Sequence, residues 1–365
     1  MNEVILKEVS YGQLRENNWL SDQDKYGIAA FVDENVRNAF VDSPNNDDNT
    51  KTAILFAVDN GDIVGRHLLY ATKIKMDDSV IQAQSSGSTE VHESQRGKGI
   101  GSKINQWTLN NDEYPVYICS LLSPACLRLM EKKENGCTIF DFPELVKIVN
   151  TEAAFAVRGM KGIALKVCKS VGNTVVWFLD IPNRIRLRKL KKTYCVEQLY
   201  TIPQWAGEMC LNDGHRYAEY HDVAWLEWSV FHNLSGQPED KQSFYAIYDR
   251  NKTPVGFFIT KERRRRDIEK YDGMICGTLC EWASVSSDLK ESDINLLALP
   301  TFSKNCYHVL TVTDDPKTVN GLKRMGYVKH GSMQMGFKDK KNQFPDMVDQ
   351  SKWRIRYGCC NSILY

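Results

Sequence analysis

The sequence lacks several features that would assign a protein class directly. It has no run of about 18 consecutive apolar residues, so it predicts no membrane-spanning helix and no membrane insertion. Its start, MNEVILKEVSYGQLRENNWL, has no basic flank followed by a long apolar run, which favours a cytoplasmic protein without a signal peptide. Lysine plus arginine (47) nearly equals aspartate plus glutamate (46), so no overall charge attracts the chain to nucleic acid.

Metal-ligand spacing is also missing from the sequence. The 11 cysteines are scattered, form no CxxC pair and lie in no cysteine and histidine cluster with the spacing of a zinc site. His215, His221 and His232 match no metal motif and are expected to be structural or exposed. Such an unpatterned set of thiols fits reduced cysteines in a cytosol, many of them buried as small hydrophobes. The sequence therefore predicts no bound metal.

The order of predicted elements favours two domains of mixed α/β class, which is the default for 365 residues. Two apolar runs joined by Asp59, Asn60 and Gly61 predict a hairpin. From about residue 195 the order of helix, hairpin, strand, helix, strand and helix begins again, which indicates a diverged internal duplication. We predict a first domain over residues 1–150, a connecting region over 151–194 and a second domain over 195–365. The basic run in the connecting region, IRLRKLKK, is interpreted as a solvated face.

Residues 96–101, RGKGIG, carry the strongest chemical signal. Their glycines leave backbone amides unshielded where a helix begins, with its free N–H groups and positive dipole end. Arg96 and Lys98 add positive charge, so the loop predicts a phosphate site without naming its ligand. The third glycine comes too soon for the dinucleotide fingerprint G-x-G-x-x-G, and the spacing of a P-loop is absent.

The string VHESQRGKGIG resembles motif A of the GNAT (GCN5-related N-acetyltransferase) superfamily, of the form Gln/Arg-x-x-Gly-x-Gly/Ala. The segment LRLMEKKENG, which follows the strand-like YPVYICSL, is similar to the last helix of that family. The firm resemblance covers residues 51–142, and the second half is similar by element order and by VNGLKRMGYVK. It implies two GNAT-like domains, each a mixed, mostly antiparallel sheet flanked by helices.

The resemblance implies an acyl-CoA co-substrate, expected to be acetyl-CoA, between the fourth and fifth strands of the first domain. The pantetheine would pair with backbone near Thr89 and Val91, and Ser123 lies where the family often has an asparagine that contacts CoA. The pyrophosphate would lie on the amides of the glycine loop, whose residues are Arg96, Gly97, Lys98, Gly99, Ile100, Gly101 and Ser102.

Catalysis in the family is a direct attack of a substrate amine on the thioester, which needs a base for the ammonium. Glu90 and Glu93 are the nearest carboxylates, and strand alternation would place them on opposite faces. Because this strand commonly carries a bulge, both remain candidates. Met130 stands where the family has a tyrosine that protonates the thiolate, so Tyr117, Cys119 or water would have to replace it.

The second half lacks the glycine loop. Residues 283–297 contain no glycine and carry acids where a phosphate would lie, and Leu322 stands at the tyrosine position. We therefore expect this copy not to bind CoA and to shape the cleft for the acceptor.

The resemblance implies transfer of an acyl group to a primary amine of a small molecule. The segment SPACLRLMEKKENGCTIFDFPELVKIV also resembles tandem-domain bacterial GNATs linked with amino sugars of surface polysaccharides, which suggests an amino sugar as the acceptor. Two alternatives stay open. Met130 is compatible with a CoA-binding sensor or scaffold without catalysis. A Fem-type aminoacyl transferase also pairs two such domains, although it needs no glycine loop for CoA. The sequence does not fix the oligomeric state.

Overall fold

The fold comes from a computed structural model that describes residues 4–16, 26–31, 34–120, 122–132, 136–156, 158–232, 237, 239–266 and 272–359. The strands are β1 (Ile5–Ser10), β2 (Thr52–Asp59), β3 (Asp62–Met76), β4 (Ser79–Val91), β5 (Val116–Ser120), β6 (Thr138–Ile148), β7 (Cys195–Leu199), β8 (Tyr217–Glu219), β9 (Lys241–Tyr248), β10 (Pro254–Arg264), β11 (Ile275–Ser284), β12 (Cys306–Val312), β13 (Val328–Asp339) and β14 (Trp353–Arg354). The helices are α1 (Tyr11–Glu16), α2 (Glu34–Val41), α3 (Ile100–Asn110), α4 (Pro124–Met130), α5 (Glu152–Ala156), α6 (Gly162–Leu179), α7 (Ile181–Thr193), α8 (Gln204–Leu211), α9 (Val223–Phe231), α10 (Glu291–Ala298) and α11 (Pro316–Arg324).

Local chemistry sets several of these boundaries. Ser123, Asp222 and Asp315 accept hydrogen bonds from first-turn amides and so begin α4, α9 and α11. Asn60 and Gly61 have φ of 52° and 91°, the left-handed conformation that a tight hairpin turn requires. The hairpin predicted between β2 and β3 is therefore confirmed.

The strands form one continuous sheet. The two halves of the chain arrange their strands in an equivalent order, each running from one edge of the sheet toward its centre. From one edge the order is β1-β2-β3-β4-β5-β13, and from the other it is β7-β9-β10-β11-β12-β6. On each side one pair is parallel, β4 with β5 and β11 with β12. The strand β6 of the first half lies beside β12, and β13 of the second half lies beside β5, so each half of the chain contributes one strand to the other half's side. The order fits the predicted repeat of elements, while the domain boundaries at residues 150 and 195 stay predictions.

Helices cover both faces of the sheet because its strands are apolar on both faces. In β2, Ile54 and Phe56 pack under α1 and α2, whereas Leu55 and Ala57 pack under α3. This alternation explains the unbroken apolar run of β2, since a strand buried on both sides has no polar face. All cysteines of the described ranges are free thiols, six of them buried.

The region predicted only as a connection, residues 151–194, forms the three helices α5, α6 and α7. The inner side of α7 packs through Leu187 and Leu190 against the core of the second half. Within the described residues no helix combines the length and the apolar character that crossing a bilayer requires.

A buried ion-pair cluster joins the two halves of the sheet. His221 Nδ1 lies 2.5 Å from Glu281 Oε2, and Nε2 lies 3.0 Å from Glu219 Oε2. Glu219 also accepts a hydrogen bond from Thr72 of β3 at 2.6 Å, and Arg354 donates to Glu281 at 3.3 Å. Because each buried charge has a partner of opposite sign, the cluster avoids the large penalty of an isolated buried ion.

The partners in this cluster fix its charge states. Burial disfavours the imidazolium of His221, but its hydrogen bonds to Glu219 and Glu281 outweigh burial and raise its pKa. Burial also disfavours the Glu281 carboxylate, but Arg354 and His221 lower the pKa of Glu281 to about 2. The hydrogen bonds to Glu219 and Glu281 thus favour the protonated form of His221 inside the cluster.

We expect the stability to fall as the pH rises above about 6.5. Hydrogen bonds to Asp213 and Asp314 raise the pKa of His215 to about 9, and the pKa of His221 is raised as well. A histidine whose pKa is higher in the folded than in the unfolded state stabilises the fold while it is protonated. This contribution is complete below 6.5, the pKa in the unfolded state, and is lost as the pH rises through the pKa in the folded state. Glu281 acts in the opposite range, since its contribution is complete above 4.5 and is lost toward pH 2.

Thermal unfolding measured across these pH values tests the expectation. The melting temperature should fall between about pH 6.5 and pH 9. The variant His215→Gln should show a smaller fall over the same range, because it has no imidazolium to lose. A melting temperature that is constant or rises with pH in that range would contradict the assignment.

Candidate functional site

The strand β4 is bulged next to the predicted pantetheine position. Arg66 pairs with Glu90 and Leu68 pairs with Gly87, so two residues of β4, Ser88 and Thr89, lie opposite one residue of β3. Ser88 takes a positive φ of 48°, which fits an irregular strand position. The bulge expected in this strand is confirmed, and it changes the direction of the backbone just before the glycine loop.

Beyond a short parallel contact, β4 and β5 separate. Ala83 pairs with Val116 and Gln84 pairs with Tyr117, and the parallel pairing ends there, although β4 continues to Val91 and β5 to Ser120. Strands that stop pairing leave backbone N–H and C=O groups able to bond to an added extended ligand. The opening lies where the predicted CoA position requires it.

The glycine loop forms the start of α3 at the end of this opening. Gly97 and Gly99 have φ of 82° and 81°, and no side chain caps the helix at Gly99. A Cβ built on Gly97, Gly99 or Gly101 meets no atom within 4 Å, so the surface above these amides is open. The first-turn N–H groups of a helix have no partner inside the helix and favour an anion. The loop therefore has the geometry of an anion site.

The two cations of the loop are tied to neighbouring groups. Lys98 Nζ donates to Gln95 Oε1 at 2.6 Å, and Arg96 Nε donates to the Val91 carbonyl at 3.3 Å. Ile100 is 3% exposed and packs in the core under α3, so only its backbone faces the loop. Ser102 follows in the first turn of α3. Both cations are exposed, so they can turn toward a ligand without breaking core contacts.

The structure separates the two candidate bases. Glu90 lies on β4 and forms an ion pair with Arg66, with Oε2 3.2 Å from Nη2. Glu93 lies in a 3₁₀ turn, Glu93–Gln95, because β4 ends at Val91. The strand alternation expected to place Glu93 opposite Glu90 therefore does not reach it. Both carboxylates are exposed to solvent beside the opening.

A histidine that the sequence did not single out lies at the bulge. His67 Nδ1 is 2.7 Å from Thr89 Oγ1, and its Nε2 is buried with no hydrogen-bond partner in the described part of the chain. Burial lowers the pKa of His67 to about 4, so the ring is neutral at physiological pH. His67 precedes the apolar residues Leu68 and Leu69 in β3, and nothing in the sequence distinguishes it from a buried core residue.

The side chains that were candidates for the thiolate acid are buried. Met130 is 1% exposed, with its Sδ 3.6 Å from Cys119 Sγ. Tyr117 Oη lies 2.5 Å from Ser86 Oγ between β4 and β5, and burial raises the pKa of Tyr117 well above its usual value. Burial also raises the pKa of Cys119. Ser123, the expected CoA contact, accepts a hydrogen bond from the Cys126 amide at 3.2 Å as the N-cap of α4.

In the second half, the chain itself fills the corresponding opening between β11 and β12. The Gly358 amide donates to the Cys280 carbonyl of β11 at 2.8 Å, and Arg356 bridges to Thr313 just after β12. The guanidinium of Arg356 lies 4.3 Å from the centre of the Trp282 ring. Residues 353–359 thus occupy the space that remains open in the first half.

The acids at the start of α10 are paired within the protein. Arg356 forms ion pairs with Glu291 and with Asp314, the second at 2.7 Å. Arg186 Nε lies 2.7 Å from Asp293 Oδ1. Glu291 and Asp293 lie in the first turn of α10, whereas the first turn of α3 carries no carboxylate. This difference fits the expectation that the second half does not bind a phosphate.

One set of side chains has the composition of a metal site. Single ligand atoms of Glu219, His221 and Cys359 lie within 4.8 Å of one another. Both ring nitrogens of His221, however, bond to the carboxylates of Glu219 and Glu281. The ion-pair cluster accounts for Glu219 and His221, and Cys359 Sγ accepts a hydrogen bond from the Arg356 amide at 3.3 Å.

Comparisons with known proteins find likeness in structure only. No family model matches the chain, and no curated protein matches it. N-myristoyltransferase of Saccharomyces cerevisiae with bound myristoyl-CoA superposes with a TM-score of 0.58 and 10% identity, over 93% of this chain and 83% of that one. A GCN5-related N-acetyltransferase from Anabaena variabilis gives 0.52 and 12% identity, over 93% and 73%. A probable N-acyltransferase from Enterococcus faecalis gives 0.52 and 9% identity, over 92% and 72%.

These likenesses establish the fold. The chain has the GNAT type of fold, a large mixed sheet flanked by helices, as in the N-myristoyltransferase and the GCN5-related protein. The predicted fold class is confirmed.

Removal of Arg356 should strongly destabilise the protein. Its side chain is 2% exposed and pairs with Asp314 and Glu291, so Arg356→Ala removes two ion pairs and leaves Asp314 with only His215 as a charged partner among the described residues. Breaking a buried pair on one side costs about 3–5 kcal/mol, whereas an exposed substitution such as Arg324→Ala costs about 0.5 kcal/mol or less. Urea unfolding of both variants measures the difference. A loss below about 1 kcal/mol for Arg356→Ala would contradict the role given to this segment.

Proposed function

We propose that the protein is an acyl-CoA-dependent N-acyltransferase that binds one CoA in its first half. The observation that carries this proposal is the uncapped start of α3, with Gly97 and Gly99 at positive φ, beside the separating strands β4 and β5. A phosphate site and an unpaired strand edge together match the two ends of CoA, a pyrophosphate and an extended pantetheine. The proposal is supported by the structural similarity to the yeast N-myristoyltransferase, which was solved with bound myristoyl-CoA.

In the proposed complex, the pyrophosphate lies on the amides of residues 100–102. Arg96 and Lys98 turn from their present partners toward its oxygens, and Arg96 thereby frees the Val91 carbonyl. The pantetheine amides then pair with backbone at Thr89 and Val91. We propose acetyl-CoA as the donor.

The proposed reaction is a direct transfer. A base takes a proton from the ammonium of the acceptor, and the amine nitrogen attacks the thioester carbonyl carbon. The C–S bond breaks, the nitrogen releases its second proton to water as the amide forms, and the CoA thiolate receives a proton. We assign the base to Glu90 or Glu93. Glu90 is already engaged by Arg66, whereas the Glu93 side chain has no partner among the described residues, which favours Glu93.

Reprotonation of the thiolate is assigned to Tyr117 or to water. The hydroxyl of Tyr117 is protonated at neutral pH and lies with Ser86 between β4 and β5. Met130 has no proton to donate, and its burial against Cys119 keeps it out of the opening.

The proposed domains keep the ranges 1–150, 151–194 and 195–365, with the last one shaping the acceptor site. The filled opening between β11 and β12 supports one CoA site for each chain. The acceptor is proposed to be a small molecule with a primary amine, and amino sugars of surface polysaccharides are the first class to test.

A CoA-binding sensor or scaffold is the second candidate, and the buried Met130 favours it. Such a protein would bind acetyl-CoA and release no thiol with any amine. A Fem-type aminoacyl transfer is less well supported, since it gives no reason for the open glycine loop.

Substitution of Gly101 by leucine should abolish most of the CoA affinity without unfolding the protein. Gly101 lies inside α3, and a Cβ there meets nothing within 4 Å, so the free protein accommodates the side chain. The leucine would cover the amides that bind phosphate. Loss of two charged hydrogen bonds predicts a decrease of about a hundredfold. Calorimetric titration with acetyl-CoA should give one equivalent for the wild type.

A pair of matched variants controls for strain at glycine. Gly99→Ala and Gly214→Ala meet equal backbone strain, since their φ values are +81° and +84° with open space around both. Only Gly99→Ala should weaken binding. Unchanged affinity in Gly101→Leu would refute the site, and a second equivalent in the wild type would reveal a site in the other half.

The base is tested by Glu90→Gln and Glu93→Gln. Removal of the true base should lower kcat by about a hundredfold or more and leave acetyl-CoA affinity intact, because the carboxylate acts only on the amine. Thiol release over a panel of primary amines and amino sugars measures this. Asp78→Asn, at an exposed turn of the same strand pair, should change neither value. Full activity in both glutamine variants would place the base elsewhere.

A further inference from the structure

Helix α6 exposes an apolar stripe that nothing in the described chain covers. No residue of α6 is buried. The opposite side of the helix attaches to the protein, where Asn173 bonds to Thr151 and Gly172 packs against Phe155. The stripe consists of residues at spacings of three or four, each at least half exposed: Ile163 81%, Val167 56%, Val171 59%, Val175 50% and Phe178 59%.

The stripe continues beyond the end of α6. Asp180 is the C-cap of α6 and also the N-cap of α7, so the two helices follow each other without a loop. Leu179 is 74% exposed, and Ile181 and Ile185 of α7 are 37% and 51% exposed. Trp177 is also half exposed, with the Arg184 guanidinium 4.8 Å from its ring. In the α6–α7 segment (residues 161–193), exposed apolar residues therefore run from Ile163 in α6 to Ile185 in the first half of α7.

This segment concentrates the positive charge of the protein. Residues 161–193 contain nine lysines and arginines and a single acid, Asp180, which gives a net charge of +8. The whole chain has a net charge of +1, so the other residues together carry −7. On the outer side of α7, Arg188, Lys189 and Lys192 are exposed, and their side chains have no partner among the described residues.

We propose that the α6–α7 segment docks the protein on an anionic membrane surface. The aliphatic stripe and Trp177 enter the boundary between headgroups and acyl chains, and the lysines and arginines bind lipid phosphates. An apolar face with a basic flank is the composition of helices that lie in the membrane interface. The proposal does not depend on the acyltransferase function.

Two other occupants fit the charges and the stripe less well. A second copy of the chain would bring two segments of +8 together, and like charges oppose such contact. A nucleic acid would match the charge, but an aliphatic stripe offers it neither stacking nor hydrogen bonds and would stay exposed to water. An anionic lipid surface matches both the stripe and the charge.

Co-sedimentation with vesicles tests the proposal on the full chain. The wild type should bind vesicles of phosphatidylcholine with phosphatidylglycerol, bind phosphatidylcholine alone much more weakly, and lose binding as salt increases. The charge variant, Arg188→Ala with Lys189→Ala and Lys192→Ala, should bind on the order of a hundredfold more weakly. The stripe variant, Val167→Gln with Val171→Gln and Val175→Gln, should bind at least about tenfold more weakly.

A control variant removes the same number of exposed cations from helix α11 on another surface: Lys317→Ala, Lys323→Ala and Arg324→Ala. It should bind like the wild type, and thermal unfolding should show that all variants stay folded. Equal binding to both kinds of vesicle, no binding, or equal loss in the control would overturn the proposal. A dimer in sedimentation equilibrium that the stripe variant dissociates, or binding to RNA in place of vesicles, would assign the surface to those partners instead.

Discussion

The charged cluster around His221 is the strictest constraint on the second half and on its contact with β3, beside the pairing of β13 with β5 and of β6 with β12 that joins the two halves of the sheet. Apolar packing tolerates many arrangements, but a buried charge requires a partner of opposite sign at hydrogen-bond distance. Glu219 supplies that partner to His221 and also accepts from Thr72 of β3, so β8 is held against the first half. Arg354 pairs with Glu281 and brings the C-terminal residues to β11. The loss of any one member would leave the others charged and buried, so the cluster selects one arrangement among those that packing allows.

This constraint makes the two halves chemically unequal although their elements follow the same order. The segment drawn in by Arg354 continues as residues 355–359 across the opening between β11 and β12. There Arg356 neutralises Glu291 at the start of α10, so that helix end needs no anion from outside. At the start of α3 the glycines leave the amides uncovered. The two helix starts therefore differ in charge and exposure, and this difference follows from which side chains lie at each of them.

Local features were predictable from the sequence, and long-range ones were not. The turn at Asn60 and Gly61 and the start of α3 at Gly99 follow from backbone preferences of a few neighbouring residues. The exchange of β6 and β13 depends on long-range pairings such as Ile148 with His308 and Ser120 with Met335, for which no local signal exists. The sequence left the face of Glu93 open, because neither the bulge in β4 nor the end of β4 at Val91 has a local signal. His67 was missed since its role arises from a bulge in the neighbouring strand.

The absence of a tyrosine at Met130 bears less on catalysis than the choice of base. An alkyl ammonium has a pKa near 10.4, so at neutral pH only about one amine in a few thousand is uncharged and able to attack. A thiol has a pKa near 8.5, so a thiolate is already a good leaving group and can take its proton from water afterwards. Without a base, only a small fraction of the acceptor amine is uncharged and able to attack the thioester. Without an acid, only the later protonation of the thiolate is affected, and that step has a small free-energy cost. For this reason a site with Met130 and an accessible carboxylate such as Glu93 is compatible with transfer, and a site with a tyrosine but no carboxylate would be the poorer catalyst.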